Sequence, residues 1–154
     1  MDYLLDSNLV LIYSRENQLS RQIEQQYHLF SPANRLAVSV VTLGEVNALG
    51  KKLGLGKRRL TLLDGLLRQF NVFDIDLAEV IDRYGTIDAF SQGKLAGRRG
   101  EFTARNMGKN DLWIAATASV FDLTLVTTDR DFDHLADQFL QLIYIDQQAF
   151  ADGK

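Results

Sequence analysis

Four acidic residues, far apart along the chain, stand where a parallel α/β protein gathers side chains at one sheet edge. Asp6 closes the run Tyr3-Leu4-Leu5-Asp6-Ser7-Asn8, and Glu45 lies in Val41-Thr42-Leu43-Gly44-Glu45-Val46. Asp111 begins Asn110-Asp111-Leu112-Trp113-Ile114-Ala115-Ala116, and Asp129 ends Leu125-Val126-Thr127-Thr128-Asp129. Carboxylates crowded together repel unless a cation sits among them, and oxygen-only ligand sets suit Mg²⁺ or Mn²⁺. The chemistry such a cluster serves is metal-assisted hydrolysis of a phosphodiester.

Each acid also has an ordinary structural use. Asp is common at helix starts and in Asx turns, so Asp6 alone reads as a cap. Asn8 is spaced to orient Asp6 or to hold a metal-bound water. Asp111 opens an apolar helix, where a carboxylate caps well and is favoured by the helix dipole. Asp129 and Asp131 compete for one position, and either would cap a short helix beginning near Phe132. Thr127 and Thr128 either bond a metal-bound water or pack in the strand. Glu45 is the least ordinary of the set. Its helical neighbours Val41, Ala48 and Leu49 are the apolar residues expected on a core stripe. A charge there costs on the order of 3 kcal/mol or more unless it pairs with a lysine or arginine or binds a metal. The small Gly44 beside it leaves room for close approach. The joint placement of the four acids favours one shared site over four separate caps.

Strand-like runs at 3–5, 36–40, 72–75, 123–127 and 142–145 are short, aliphatic or β-branched and poor in charge, as strands buried on both faces are. Helical patterns fill the intervals: 9–14, 17–30, 42–53, 59–69, 77–91 and 112–121. Strands separated by helices predict an α/β fold with a parallel sheet covered on both faces. Right-handed crossovers then put all strand C-termini on one edge. Ser31-Pro32-Ala33-Asn34 ends one helix, and Gly54 and Gly56 break the helix after Glu45. Gly93, Gly97, Gly100 and Gly108 predict a mobile loop between Ser91 and Lys109.

The 154 residues fit a single domain over 1–150 with a proper core, followed by a frayed tail over 151–154. Hydrophobic and charged shares of 46% and 24% are those of a soluble globular chain. With 0 Cys, disulfides, thiolate zinc sites and cysteine nucleophiles are excluded, and a reducing cytoplasm is the expected setting. Only 2 His occur, without metal-ligand spacing, so a histidine zinc site or a Ser–His–Asp triad is not expected. No phosphate-binding P-loop occurs, and the glycines of 50–56 do not follow a strand in the dinucleotide-binding manner. No apolar run approaches the roughly 20 residues of a membrane helix, so no membrane partner is expected. The net charge of −3 argues against binding polyanions by bulk charge. Local charge differs: Lys51, Lys52, Lys57, Arg58 and Arg59 form one basic cluster, and Lys94, Arg98, Arg99, Arg105 and Lys109 another. One follows Glu45 and the other precedes Asp111, which favours phosphate contact over two solvated faces.

These motifs together resemble the PIN domain, and within it the VapC-type toxins of bacterial toxin–antitoxin pairs. The family pattern has an Asp in a first-strand D-[ST]-N motif, matched by Asp6-Ser7-Asn8. It has a Glu on the helix after the second strand, matched by Glu45. It continues with an N-D-x-x-I-A-A-x-A run, here Asn110 to Ala118, and a T-x-D-x-D-F run, here Thr127 to Phe132. The resemblance spans nearly the whole chain. It implies a three-layer α/β/α fold around a central parallel sheet of about five strands. It implies RNA cleavage dependent on one or two Mg²⁺ or Mn²⁺ ions, with Asp6, Glu45, Asp111 and Asp129 as catalytic and metal-holding residues. Asn8, Thr127 and Asp131 would support them. Asp129 is preferred over Asp131 because Thr127 precedes it at family spacing. An RNA substrate (transfer RNA among the candidates), a cognate antitoxin and a homodimer are the implied partners. Lys51, Lys52, Arg58, Arg98, Arg99, Arg105 and Lys109 are the expected RNA contacts. Some family members process RNA outside toxin pairs.

Other classes fit less well. A phosphatase with Asp6 as nucleophile needs a second acid where Asn8 stands. A phosphoacceptor receiver domain needs a lysine after the last strand, and none is convincing. A binding scaffold whose acids only cap helices is the remaining alternative.

Overall fold

The computed structural model describes residues 1–151, so the expected tail lies outside the described residues except for Ala151, which closes a helix. The five strands are β1 (Asp2–Leu5), β2 (Arg35–Ser39), β3 (Asn71–Phe73), β4 (Thr124–Thr127) and β5 (Leu142–Tyr144). They form one sheet in the order β3-β2-β1-β4-β5, with every neighbouring pair parallel. The order reverses between β1 and β4, the kind of switch point where parallel sheets open a crevice at their carboxyl ends.

Seven helices complete the described chain: α1 (Ser7–Ser14), α2 (Gln18–Tyr27), α3 (Val40–Leu53), α4 (Lys57–Leu67), α5 (Ala78–Ser91), α6 (Lys109–Val120) and α7 (Gln147–Ala151). A 3₁₀ helix covers Arg130–Leu135. Strand alternation sends side chains to two cores. Leu4, Ala37 and Leu125 point to the side holding Val80, Ile87 and Phe90 of α5 and Ile114 of α6. Tyr3, Leu5, Val38 and Val126 point to the side holding Leu9 and Ile12 of α1, Ile23 of α2 and Leu63 of α4. The result is the expected three-layer α/β/α sandwich with five parallel strands.

Capping explains where helices depart from the periodicity-based ranges. Ser39 accepts the Val41 amide at 3.1 Å, so α3 begins two residues earlier than predicted. Its buried residues become Thr42, Val46 and Gly50, not the stripe through Glu45. At the other end Gly54 closes α3 with φ 60°, a left-handed conformation that glycine adopts without strain. Helix α2 stops at Tyr27, three residues short of the expected end, because His28 turns left-handed with φ 50°. Helix α6 starts at Lys109 instead of 112, with Gly108 as its cap residue. Helix α7 follows an Asx turn in which Asp146 accepts the Gln148 amide at 3.0 Å. Periodicity does not foresee so short a helix.

The glycine-rich connection between α5 and α6 makes several specific contacts. The Arg105 amide donates to Ser91 O at 2.8 Å, and Ser91 Oγ meets His134 Nε2 at 2.7 Å. Arg98 lies over the Phe139 ring at 4.1 Å and donates to Gln138 O at 2.6 Å. Burial and the Arg105 charge push the His134 imidazole down to about 4, so it serves this contact as a neutral group.

Leu4 is fully buried on the central strand, where neighbours on both sides limit collapse. Leu4→Ala is expected to lower unfolding stability by about 2–5 kcal/mol. Urea denaturation followed by circular dichroism measures this, and a loss below that range would mean the β1 core is loosely packed.

Candidate active site

Parallel pairing brings the ends of β1 and β4 side by side. The Asp6 amide donates to Val126 O at 3.0 Å, which carries the ladder to the residue bearing the carboxylate. Asp6 Oδ1 accepts the Ser7 amide at 2.7 Å, and Oδ2 accepts Thr127 Oγ1 at 2.7 Å. Thr127 Oγ1 accepts in turn from the Asp129 amide at 3.0 Å. One fully buried hydroxyl therefore orients Asp6 and fixes the turn that carries Asp129. Thr127 gives its one donor to Asp6.

Ser7, to which the sequence assigned no role, links the first two acids. Its Oγ donates to Glu45 Oε1 at 2.7 Å and lies 3.2 Å from Thr42 Oγ1. Glu45 itself is half-buried on the open side of α3. The expected burial cost on a core stripe does not arise, because α3 packs through Thr42, Val46 and Gly50 instead. Asn8 does not orient Asp6. Its Nδ2 donates to Thr128 Oγ1 at 2.7 Å, because α1 turns Asn8 outward across the end of β4.

Asp111 sits in the first turn of α6, yet no side-chain bond caps that helix. Asp129 does cap, accepting the Asp131 amide at 2.9 Å at the start of the 3₁₀ helix. Carboxylate oxygens of Asp111, Asp129 and Asp131 lie within 4.8 Å of one another, a spacing that one cation can bridge. Asp129 and Asp131 thus flank the same space. Among the described residues the ion pairs are Arg35–Asp2, Arg68–Asp64 and Arg130–Asp133, so no lysine or arginine neutralises the cluster. Charged oxygen donors without a basic partner fit a hard divalent ion such as Mg²⁺ or Mn²⁺.

Electrostatics couples the group. Burial pushes the Asp111 carboxyl up to about 7, and the charges of Asp6, Asp129, Glu45 and Asp131 add to the shift. Asp6, 7% exposed, is also raised, mainly by burial. The bonds from Thr127 and the Ser7 amide pull it back, while Glu45 and Asp129 push it up.

A sequence profile of the PIN domain matches residues 3–138. The chain belongs to the PIN domain family. No curated protein matches it by sequence search. Among solved structures, VapBC2 from Rickettsia felis bound to a promoter DNA fragment shares the fold at TM-score 0.69 and 23% identity, covering 95% of this chain and 100% of that one. VapBC from Salmonella typhimurium, also DNA-bound, gives TM-score 0.67 and 19% identity over 94% and 98%. VapBC-5 from Mycobacterium tuberculosis, a member of the VapBC toxin–antitoxin family, gives 0.60 and 23% over 94% and 98%.

The basic residues of this PIN domain divide by location. Lys52 shares a groove with Glu45, Lys109 opens α6 two residues before Asp111, and Arg105 reaches Asp131 O at 3.5 Å. Lys51 lines a separate cavity of about 800 Å³ between α3 and α4. Arg98 is engaged in packing on Phe139, which removes it from the set of free cations. Arg58 and Arg99 are exposed and make no hydrogen bond or ion pair among the described contacts. Asn110, which also faces the groove beside Glu45, is a further polar group that the sequence reading did not single out.

A raised carboxyl pKa has a stability signature. Asp111 ionises near 3.8 when exposed and near 7 when folded, so between these values the folded state holds more protons. Metal-free protein therefore gains stability from this group as pH falls from 8 to 5, and loses it as pH rises. Asp111→Asn is expected to flatten that dependence and to raise Tm at pH 8 by about 2–4 °C. Thermal melts in EDTA at both pH values check it; an unchanged pH slope in the variant would remove Asp111 as its source.

Proposed function

We propose that this PIN domain is a metal-dependent endoribonuclease of the VapC type, the toxin of a toxin–antitoxin pair. The observation that carries the reading is the group of carboxylates from Asp111, Asp129 and Asp131 within 4.8 Å, with Asp6 and Glu45 coupled to it. One or two Mg²⁺ or Mn²⁺ ions, when bound, supply Lewis acidity and lower the pKa of water near the scissile phosphate. The chain's own residues do the rest. Asp6, Glu45, Asp111 and Asp129, with Asp131 beside them, offer the oxygen donors. Thr127 and Ser7 hold Asp6 and Glu45 in fixed rotamers, so little reorganisation is needed when cation and substrate arrive. Lys52, Lys109 and Arg105 stand around the acids to offset the charge of the RNA backbone.

Partners follow from the same reading. Several of the similar solved structures are VapBC complexes, which supports a small antitoxin that covers the acidic cleft. Leu77 and Ile81, 45% and 52% exposed about one turn apart at the start of α5, are apolar side chains suited to a homodimer contact. Among the described residues no helix is long and apolar enough to cross a membrane. A cytoplasmic setting agrees with the lack of cysteine.

Cleavage of total cellular RNA and of transfer RNA, with Mg²⁺ or Mn²⁺ and with EDTA, tests the activity directly. Asp6→Asn is expected to fold normally and to lose more than about 100-fold of the metal-dependent rate. Equal turnover in pure wild type and variant would sink the assignment. Thr127→Val keeps every carboxylate but frees Asp6 from its donor. A drop of about 10–100-fold is expected, together with a smaller Mn²⁺-induced rise in Tm than in wild type. Full activity and a full Tm shift in that variant would show that Asp6 needs no second support.

A further inference from the structure

A groove of about 530 Å³ runs along α3 and includes Glu45. Val41, Ala48 and Leu49 supply its apolar wall, and Asn110 faces them from the start of α6. Glu45 stands near one end and Lys52 at the other. The α3 residues recur at spacings of three, four and seven, so they form one helix face, away from buried Thr42, Val46 and Gly50. From Glu45 to Lys52 the helix rises ~10 Å, about two turns. At Gly44, beside Glu45, no atom lies within 4 Å of where a Cβ would stand, so the groove is open there. Lys52 is exposed and pairs with no acid among the described residues.

The occupant must touch an apolar wall with a flat or apolar group and bring negative charge to Lys52. It must also continue into a cluster of carboxylates, which repels an acidic ligand unless a cation lies between them. A nucleotide chain meets all three conditions: its bases have apolar faces, and its phosphates recur at every step. Base-paired RNA keeps those faces stacked inside the duplex, whereas an unpaired nucleotide can turn one against a protein wall. We propose that this groove seats one unpaired nucleotide, with its base against Val41, Ala48 and Leu49 and its outer phosphate on Lys52. The adjoining phosphodiester then lies at the acids. The inference rests on the nuclease reading and deepens it, since it assigns a nucleotide subsite to the open face of α3.

The test separates binding from cleavage. A short fluorescent single-stranded RNA of mixed sequence is titrated with protein in Ca²⁺, beside its duplex and an abasic strand of equal length. The single strand is expected to bind about tenfold more tightly than either control. Gly44→Leu narrows the groove without meeting any protein atom near its Cβ, and Gly44→Ala does so mildly while favouring the helix. Both should keep or raise Tm, and Gly44→Leu should weaken single-strand binding about tenfold. Lys52→Ala should reduce the salt dependence of binding by about one phosphate contact. Equal affinity for all three nucleic acids, or unchanged binding in both Gly44→Leu and Lys52→Ala, overturns the proposal. If Gly44→Leu leaves RNA binding intact and instead releases a co-expressed antitoxin, the groove belongs to a protein partner and the proposal fails. Cleavage by the same variants distinguishes the two readings. A wild type that cuts RNA while the groove variants cut with unchanged KM keeps the nuclease and refutes the groove. A wild type that never cuts refutes the nuclease while the binding series still reports on the groove.

Discussion

Mutual repulsion among carboxylates at the carboxyl edge of the sheet is the constraint that the rest of this structure meets. β1 and β4 are neighbours, so Asp6 and Asp129 arrive side by side, while α6 and α3 bring Asp111 and Glu45 to the same edge. No basic side chain pairs with them among the described residues. The fold holds them with neutral donors instead: the Thr127 hydroxyl and Ser7 amide on Asp6, and the Ser7 hydroxyl on Glu45. Neutral donors leave the negative potential in place, which is why burial and neighbouring charge raise the Asp111 carboxyl to about 7. Two apolar cores, one on each face of the sheet, offset that local cost. Under the proposed function, a site that stores repulsion in this way is suited to a divalent cation, whose binding would relieve it.

The helices around this edge divide their duties between support and access. On one side the α5–α6 connection is fastened to the 3₁₀ helix by Ser91, His134 and Arg98. That fastening steadies the segment that bears Asp131 and brings Arg105 beside it. On the other side α3 buries Thr42, Val46 and Gly50 and turns Glu45 and Lys52 outward. A basic residue therefore serves packing or the open edge according to where the tertiary structure places it. Lys52, on the open face of α3, and Arg98, in the α5–α6 connection packed on Phe139, are alike in a charge count but end in different roles.

Much of the fold was legible because its signals are local. Short apolar runs give strands buried on both faces, and the intervening periodicity gives helices, so all five strands match within about two residues. Helix phase was less legible. Ser39 caps α3 two residues before the expected start, and packing against the rest of the fold, which no local pattern reports, buries Thr42, Val46 and Gly50 and leaves Glu45 on the open side. A cap was the ordinary alternative for Asp111, but Gly108 takes the cap position and leaves the carboxylate free. Ser7 and Thr127 were visible inside motifs, yet nothing in their spacing says which acid each would hold.

The sequence by itself determined the α/β alternation, the two-sided burial of the strands, and the presence of acids just beyond strand ends or on the following helices. Periodicity and hydrophobicity act over a few residues, so one chain pattern suffices to encode them. Tertiary structure decided which acids share a space, which hydroxyl orients which carboxylate, and which cations face the cleft. Those outcomes depend on strand order and helix phase. Both are set by contacts between residues as distant as Asp6 and Thr127, whose pairing no local pattern contains.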